Sequence, residues 1–71
     1  MIKKGTRVKW EWGNGTAEGK VENIYTTKTT KVIKGNKVTR NAEAGNRAVY
    51  IRQDDGDYVL KSENEIERLD K

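Results

Sequence analysis

The stretch VKWEWGNGTAEGKV, residues 8–21, decides how this chain is read. Its first half alternates, with Val8, Trp10 and Trp12 on one parity and Lys9 and Glu11 on the other. A period of two sends successive side chains to opposite faces, so TRVKWEW (residues 6–12) reads as a half-buried strand. GNG at residues 13–15 then breaks the pattern. Asn-Gly is a strong hairpin signal, because both residues take positive φ at little cost. A return strand is expected from Thr16 to about Thr27. Along it Ala17, Gly19 and Val21 share one parity, while Ile24 falls on the other. That slip is what a β-bulge between Val21 and Ile24 would produce. Gly19 has no side chain to pack, which suits a bend or a close backbone approach.

Working outward, residues 26–41 (TTKTTKVIKGNKVTRN) are rich in Thr and Val and favour strand over helix. Gly35–Asn36 is the expected turn of a second hairpin. With few apolar residues to bury (Val32, Ile33, Val38), this hairpin is expected to project from the body. Its cations recur at Lys28, Lys31, Lys34, Lys37 and Arg40. In a strand a spacing of three alternates faces, so no single basic face results. NAEAGN (residues 41–46) is a loop by composition. RAVYIRQ (residues 47–53) is apolar on both parities and reads as a central strand, and YVLK (residues 58–61) as its return across the Asp-Gly turn of DDGD. SENEIERL (residues 62–69) carries Ser62 and Glu65 at capping-box spacing. It predicts a short terminal helix with Ile66 and Leu69 on its buried edge.

The tally is five to six short antiparallel strands plus a terminal helical turn. In 71 residues it predicts an all-β domain, a barrel or two-sheet sandwich, because closure hides sheet edges. One domain over the whole chain is the expectation. No apolar run nears the ~20 residues needed to span a bilayer. The N-terminal MIKKGTRVKW has charge but no apolar h-region, so neither a signal peptide nor a membrane contact is expected. The chain has no cysteine and no histidine. Disulfides and zinc sites of the usual kind are therefore excluded, and a reducing, cytoplasmic setting is the simplest expectation. Residues 1–40 hold ten Lys/Arg against three Asp/Glu, and residues 41–71 hold five against eight. The basic half could face nucleic acid, or the acidic half could be its internal complement.

Gly5, Val8, Trp10, the glycines of WGNGTAEGKV, KVTRNA, and YIRQDDGDYVLKSENEIERL resemble, in that order, the hypervirulence-associated TUDOR-domain family. The resemblance spans nearly the whole chain. It implies a small SH3-like, Tudor-type barrel and says little about activity, since fold does not fix function.

Tudor-like domains often hold a methylated cation in an aromatic cage through cation–π attraction. The aromatic residues here are Trp10, Trp12, Tyr25, Tyr50 and Tyr58. Trp10, between Val8 and Trp12, is assigned to the core, where burial of such rings dominates the stability of a small domain. Trp12, at the strand end, is available for binding. The expected ligand-binding rim is Trp12, Tyr25, Tyr50 and Tyr58, with Asp54, Asp55 and Asp57 to engage a cationic peptide. Those aspartates otherwise read as turn residues, since Gly56 comes too early for a calcium loop. The alternative is weak nucleic-acid binding through Lys28, Lys31, Lys34, Lys37 and Arg40, whose phosphate contacts would be salt-dependent. Without histidine or cysteine, and without a phosphate-binding glycine loop, no enzymatic activity and no cofactor are expected. A protein or peptide partner and a nucleic acid both stay open, and a monomer is expected.

Overall fold

The computed structural model describes residues 2–69. Three hairpins follow one another: β1 (Arg7–Trp12) with β2 (Gly15–Tyr25), β3 (Thr29–Ile33) with β4 (Asn36–Arg40), and β5 (Ala48–Gln53) with β6 (Tyr58–Ser62). A 3₁₀ turn (Glu63–Glu65) and a short strand β7 (Glu67–Arg68) end the described chain. β6, β5, β2, β1 and β7 form one antiparallel sheet in that spatial order, and β3 and β4 pair only with each other. The all-β architecture and the helical turn are as expected. The ladder stays open, however, since β6 and β7 are its two edges and are not paired across a barrel seam.

Packing against the core sets which face each strand buries. Val8 and Trp10 of β1, Val21 of β2 and Val49 and Ile51 of β5 form one buried cluster. Ile66 closes it, and Ile2, Ala17, Ile24 and Val59 pack around it. β2 crosses the whole sheet. To keep both ends on the core it needs the expected bulge, and its pairing with β5 shifts between Val21 and Asn23. That extra residue puts Ile24 beside the core cluster with Val21 despite the odd spacing. Gly19 is a close approach: a Cβ there would lie 2.6 Å from the Arg52 carbonyl oxygen and 2.7 Å from Ile51 Cγ2.

Four expectations are corrected. Trp12 pairs with Gly15, so the first loop is Gly13 and Asn14, with the positive φ (49°) on Gly13 and not on an Asn14–Gly15 step. Ile33 pairs with Asn36, so the second loop is Lys34 (φ 51°) and Gly35 (φ 80°), one residue earlier than expected. Two successive positive φ values match the right-handed strand twist. The register follows from turning Lys31 and Ile33 inward rather than from the Gly-Asn dipeptide. The terminal helix stops after one turn. Ser62 N–H donates to Glu65 Oε1 at 2.7 Å, but Ile66 is already extended and buried, and Leu69 N–H donates to the Arg7 carbonyl. Pairing with β1 satisfies that backbone better than a second helical turn, so Ile66 and Leu69 do not share a helix face. Finally, the β3–β4 hairpin does not project. It folds back against β6, and two of its cations, Lys34 and Arg40, find carboxylate partners in Asp57 and Glu65 on either side of that strand.

Candidate functional site

Cross-strand partners lie on the same side of a sheet, so the register defines a second face opposite the core. On it lie Tyr25 and Ala48, Asn23 with Tyr50 and Leu60, and Arg52 with Tyr58. The β3–β4 hairpin covers the Tyr25 end of this face. β5 is therefore buried on both faces at that end, which is why its sequence is apolar on both parities.

The three tyrosines lie close together on this face. Tyr50 and Tyr58 stack with centroids 5.0 Å apart and planes 8° from parallel. Lys31 Nζ sits 4.9 Å from the Tyr25 ring centroid and 5.0 Å from that of Tyr50. Hydrogen bonding toward Tyr25 holds the Lys31 ammonium above its ordinary range. Lys34, in the adjoining turn, reaches Asp57 at 2.9 Å. That hydrogen bond likewise raises the Lys34 ammonium. The rim thus holds two of the chain's own cations, one on aromatic faces and one on a carboxylate.

Trp12 is not part of this rim. It pairs with Gly15 at the start of β2, whereas Tyr25 ends β2. Trp12 is 61% exposed and its ring lies over Gly15, while Trp10 is 5% exposed, in the core. The acidic residues are also engaged within the chain. Asp54 accepts two hydrogen bonds from the Arg7 guanidinium at 2.8 and 3.1 Å, which hold its carboxyl below the ordinary range. Asp55 Oδ1 accepts from the Asp57 backbone N–H, a turn contact typical of aspartate.

The cations of the second hairpin divide. Lys31 turns inward onto the tyrosines, and Arg40 Nε donates to Glu65 at 3.1 Å. Lys37 lies opposite Val32 on the outward face, and Lys28 is exposed before β3. A separate cleft of about 410 Å³ opens between β1 and the 3₁₀ turn, lined by Lys9, Glu11, Glu65 and Glu67 over Trp10. Lys31 is the site residue whose role composition alone could not reveal. Its signal was inward parity with Val38 across the hairpin, which appears only once the register is known.

Among the described residues no helix is long and apolar enough to cross a membrane, and no group of three or more Asp or Glu side chains could hold a metal ion. Neither a curated protein nor a solved structure matches the chain. A family model does match, over residues 5–66, and its description is the TUDOR domain of hypervirulence-associated proteins. Tudor-type domains are as a class small all-β binding modules, which agrees with the strands described above. With the match spanning nearly all of the sequence, the chain belongs to the hypervirulence-associated protein TUDOR domain family.

Proposed function

We propose that this domain is a non-enzymatic module that recognises a cationic segment of a protein at the rim of Tyr25, Tyr50, Tyr58 and Asp57. The observation that carries this reading is Lys31, whose ammonium lies about equally close to two tyrosine rings. An ammonium held by two ring faces is the chemistry a lysine or methylated lysine of a partner would use. Methylation favours this exchange, because a methylated ammonium sheds water more readily and keeps its charge. A partner cation has to displace Lys31, so binding to the intact domain is weak and removal of Lys31 strengthens it.

The test is an NMR titration with unmodified and trimethylated lysine peptides against the native chain and Lys31→Ala. The expected result is shifts at the amides of Tyr25, Tyr50 and Tyr58, with tighter binding to the variant. If those amides stay still in both proteins at saturating peptide, the reading is wrong. The hairpin as a nucleic-acid grip is less well supported, because Lys31, Lys34 and Arg40 are engaged within the chain.

A further inference from the structure

On the exposed part of the same sheet face, three cations stand side by side across three strands. Arg7 of β1 lies directly opposite Lys20 of β2, and Lys20 directly opposite Arg52 of β5. Neighbouring strands are about 4.8 Å apart, and like charges directly opposite destabilise a sheet. The acids beside this row do not relieve it. Glu18 and Asp54 both turn to Arg7, at 3.5 and 2.8 Å. Lys20 and Arg52 are exposed and have no hydrogen-bond or ion-pair partner among the described residues. The row ends on β6, where Arg52 faces Tyr58, whose ring is stacked on Tyr50.

We infer that the Lys20–Arg52 row is a docking surface for a single strand of nucleic acid, with phosphates on the cations and a base against Tyr58. Charge complementarity favours a polyanion, since two cations directly opposite each other lack internal counter-charges. The aromatic end selects among polyanions. A single strand offers unpaired π-faces that stack on tyrosine, and an acidic peptide or an anionic lipid headgroup has none. The exposed row crosses neighbouring strands of a sheet, along which a single strand can be laid, and carries no helix to enter a duplex groove. This surface is distinct from the hairpin lysines and uses neither Lys31 nor Asp57.

The experiment is fluorescence anisotropy of a labelled oligothymidylate as a function of salt, with circular dichroism confirming that each variant is folded. Lys20→Gln combined with Arg52→Gln is expected to weaken binding about tenfold or more at low salt. It should also flatten the slope of log affinity against log salt by about 1.4, or about 0.7 for each lost phosphate contact. Tyr58→Leu should weaken binding roughly tenfold with the slope unchanged. Lys28→Gln combined with Lys37→Gln, which removes the same charge elsewhere, should leave affinity within about twofold. The inference is overturned by absence of binding at low salt, or by equal losses in the two charge variants. It is equally overturned if polyglutamate or anionic vesicles compete as well as unlabelled oligonucleotide.

Discussion

At the scale of single residues, the two tryptophans of one strand have different roles although they share a parity. Trp10 is held by Val8, Val21 and Ile51 in the central cluster, whereas Trp12 runs past the edge of that core and leaves 61% of its surface in water. Trp10→Ala should therefore cost about 3–5 kcal/mol, enough to unfold a domain this small. Trp12→Ala should cost less than about 1 kcal/mol, from lost cover over Gly15. Urea denaturation of the two variants checks this, and similar midpoints would contradict the assignment. Gly19 is a sharper case. Its φ is unremarkable, so its glycine is required by space and not by backbone conformation. Gly19→Ala drives a methyl into the backbone of Arg52 and should destabilise by about 2–4 kcal/mol. A native-like melting temperature in that variant would mean that β2 and β5 can separate without loss.

At the scale of elements, the 3₁₀ turn is a clamp more than a helix. Glu63 accepts hydrogen bonds from Arg47, at 2.6 Å from the backbone N–H and 2.9 Å from each of two guanidinium nitrogens. Arg47 Nη2 also donates to the Ile2 carbonyl at 2.8 Å. The N-terminal segment, the start of β5 and the end of β6 thus meet at one half-buried ion pair. Glu63→Ala leaves an uncompensated guanidinium and an unpaired backbone N–H, and should cost about 1–3 kcal/mol. The capping-box spacing of Ser62 and Glu65 correctly signalled where the turn begins. It could not signal where the turn ends, because Ile66 and the backbone of Leu69 are claimed by β1 and the core. The turn dipeptides behaved likewise. Gly-Asn and Asn-Gly marked the hairpins, but the register shifted each loop by one residue, and Lys34 occupies a left-handed position that propensity assigns to Asn or Gly.

At the scale of the whole molecule, the basic first half and the acidic second half are joined by ion pairs. Arg7 meets Asp54, Lys9 meets Glu67, Lys34 meets Asp57 and Arg40 meets Glu65. Part of the apparent basic footprint of the sequence is thereby internal, and Lys20 and Arg52 stand out as exposed cations directly opposite each other in the sheet with no such pairing among the described residues. These pairs also set the response to acid. Hydrogen bonds from Arg47 hold the Glu63 carboxyl below its ordinary 4.5, and those from Arg7 hold Asp54 below 3.8. Burial pushes Glu65 up, but the Ser62 N–H and Arg40 bring it below 4.5. With folded values depressed, the unfolded chain binds more protons in acid, so stability rises with pH across this window. The stabilisation is complete above about pH 5 and is lost as pH falls through the folded values. The urea midpoint should fall between pH 5 and pH 3, and the fall should shrink in Glu63→Gln. With no histidine in the chain, the midpoint should be nearly flat from about pH 5.5 to 7.5. A midpoint equal at pH 5 and pH 3 would show that the carboxylates are not held in the fold.

The all-β class, the order of the hairpins, the bulge in β2, the close approach at Gly19 and the core role of Trp10 were legible in the amino-acid sequence. Each of these rests on local information: side-chain parity, turn chemistry and the absence of a Cβ. The tertiary structure alone decided that the ladder stays open and that the β3–β4 hairpin lies back on the second sheet face. It also decided that Lys31 occupies the tyrosine pair, that Trp12 stands apart from it, and that Lys20 and Arg52 are left without counter-charges. Those outcomes depend on which residues face each other across strands distant in sequence, and register is fixed by the collective burial of a core rather than by any local signal.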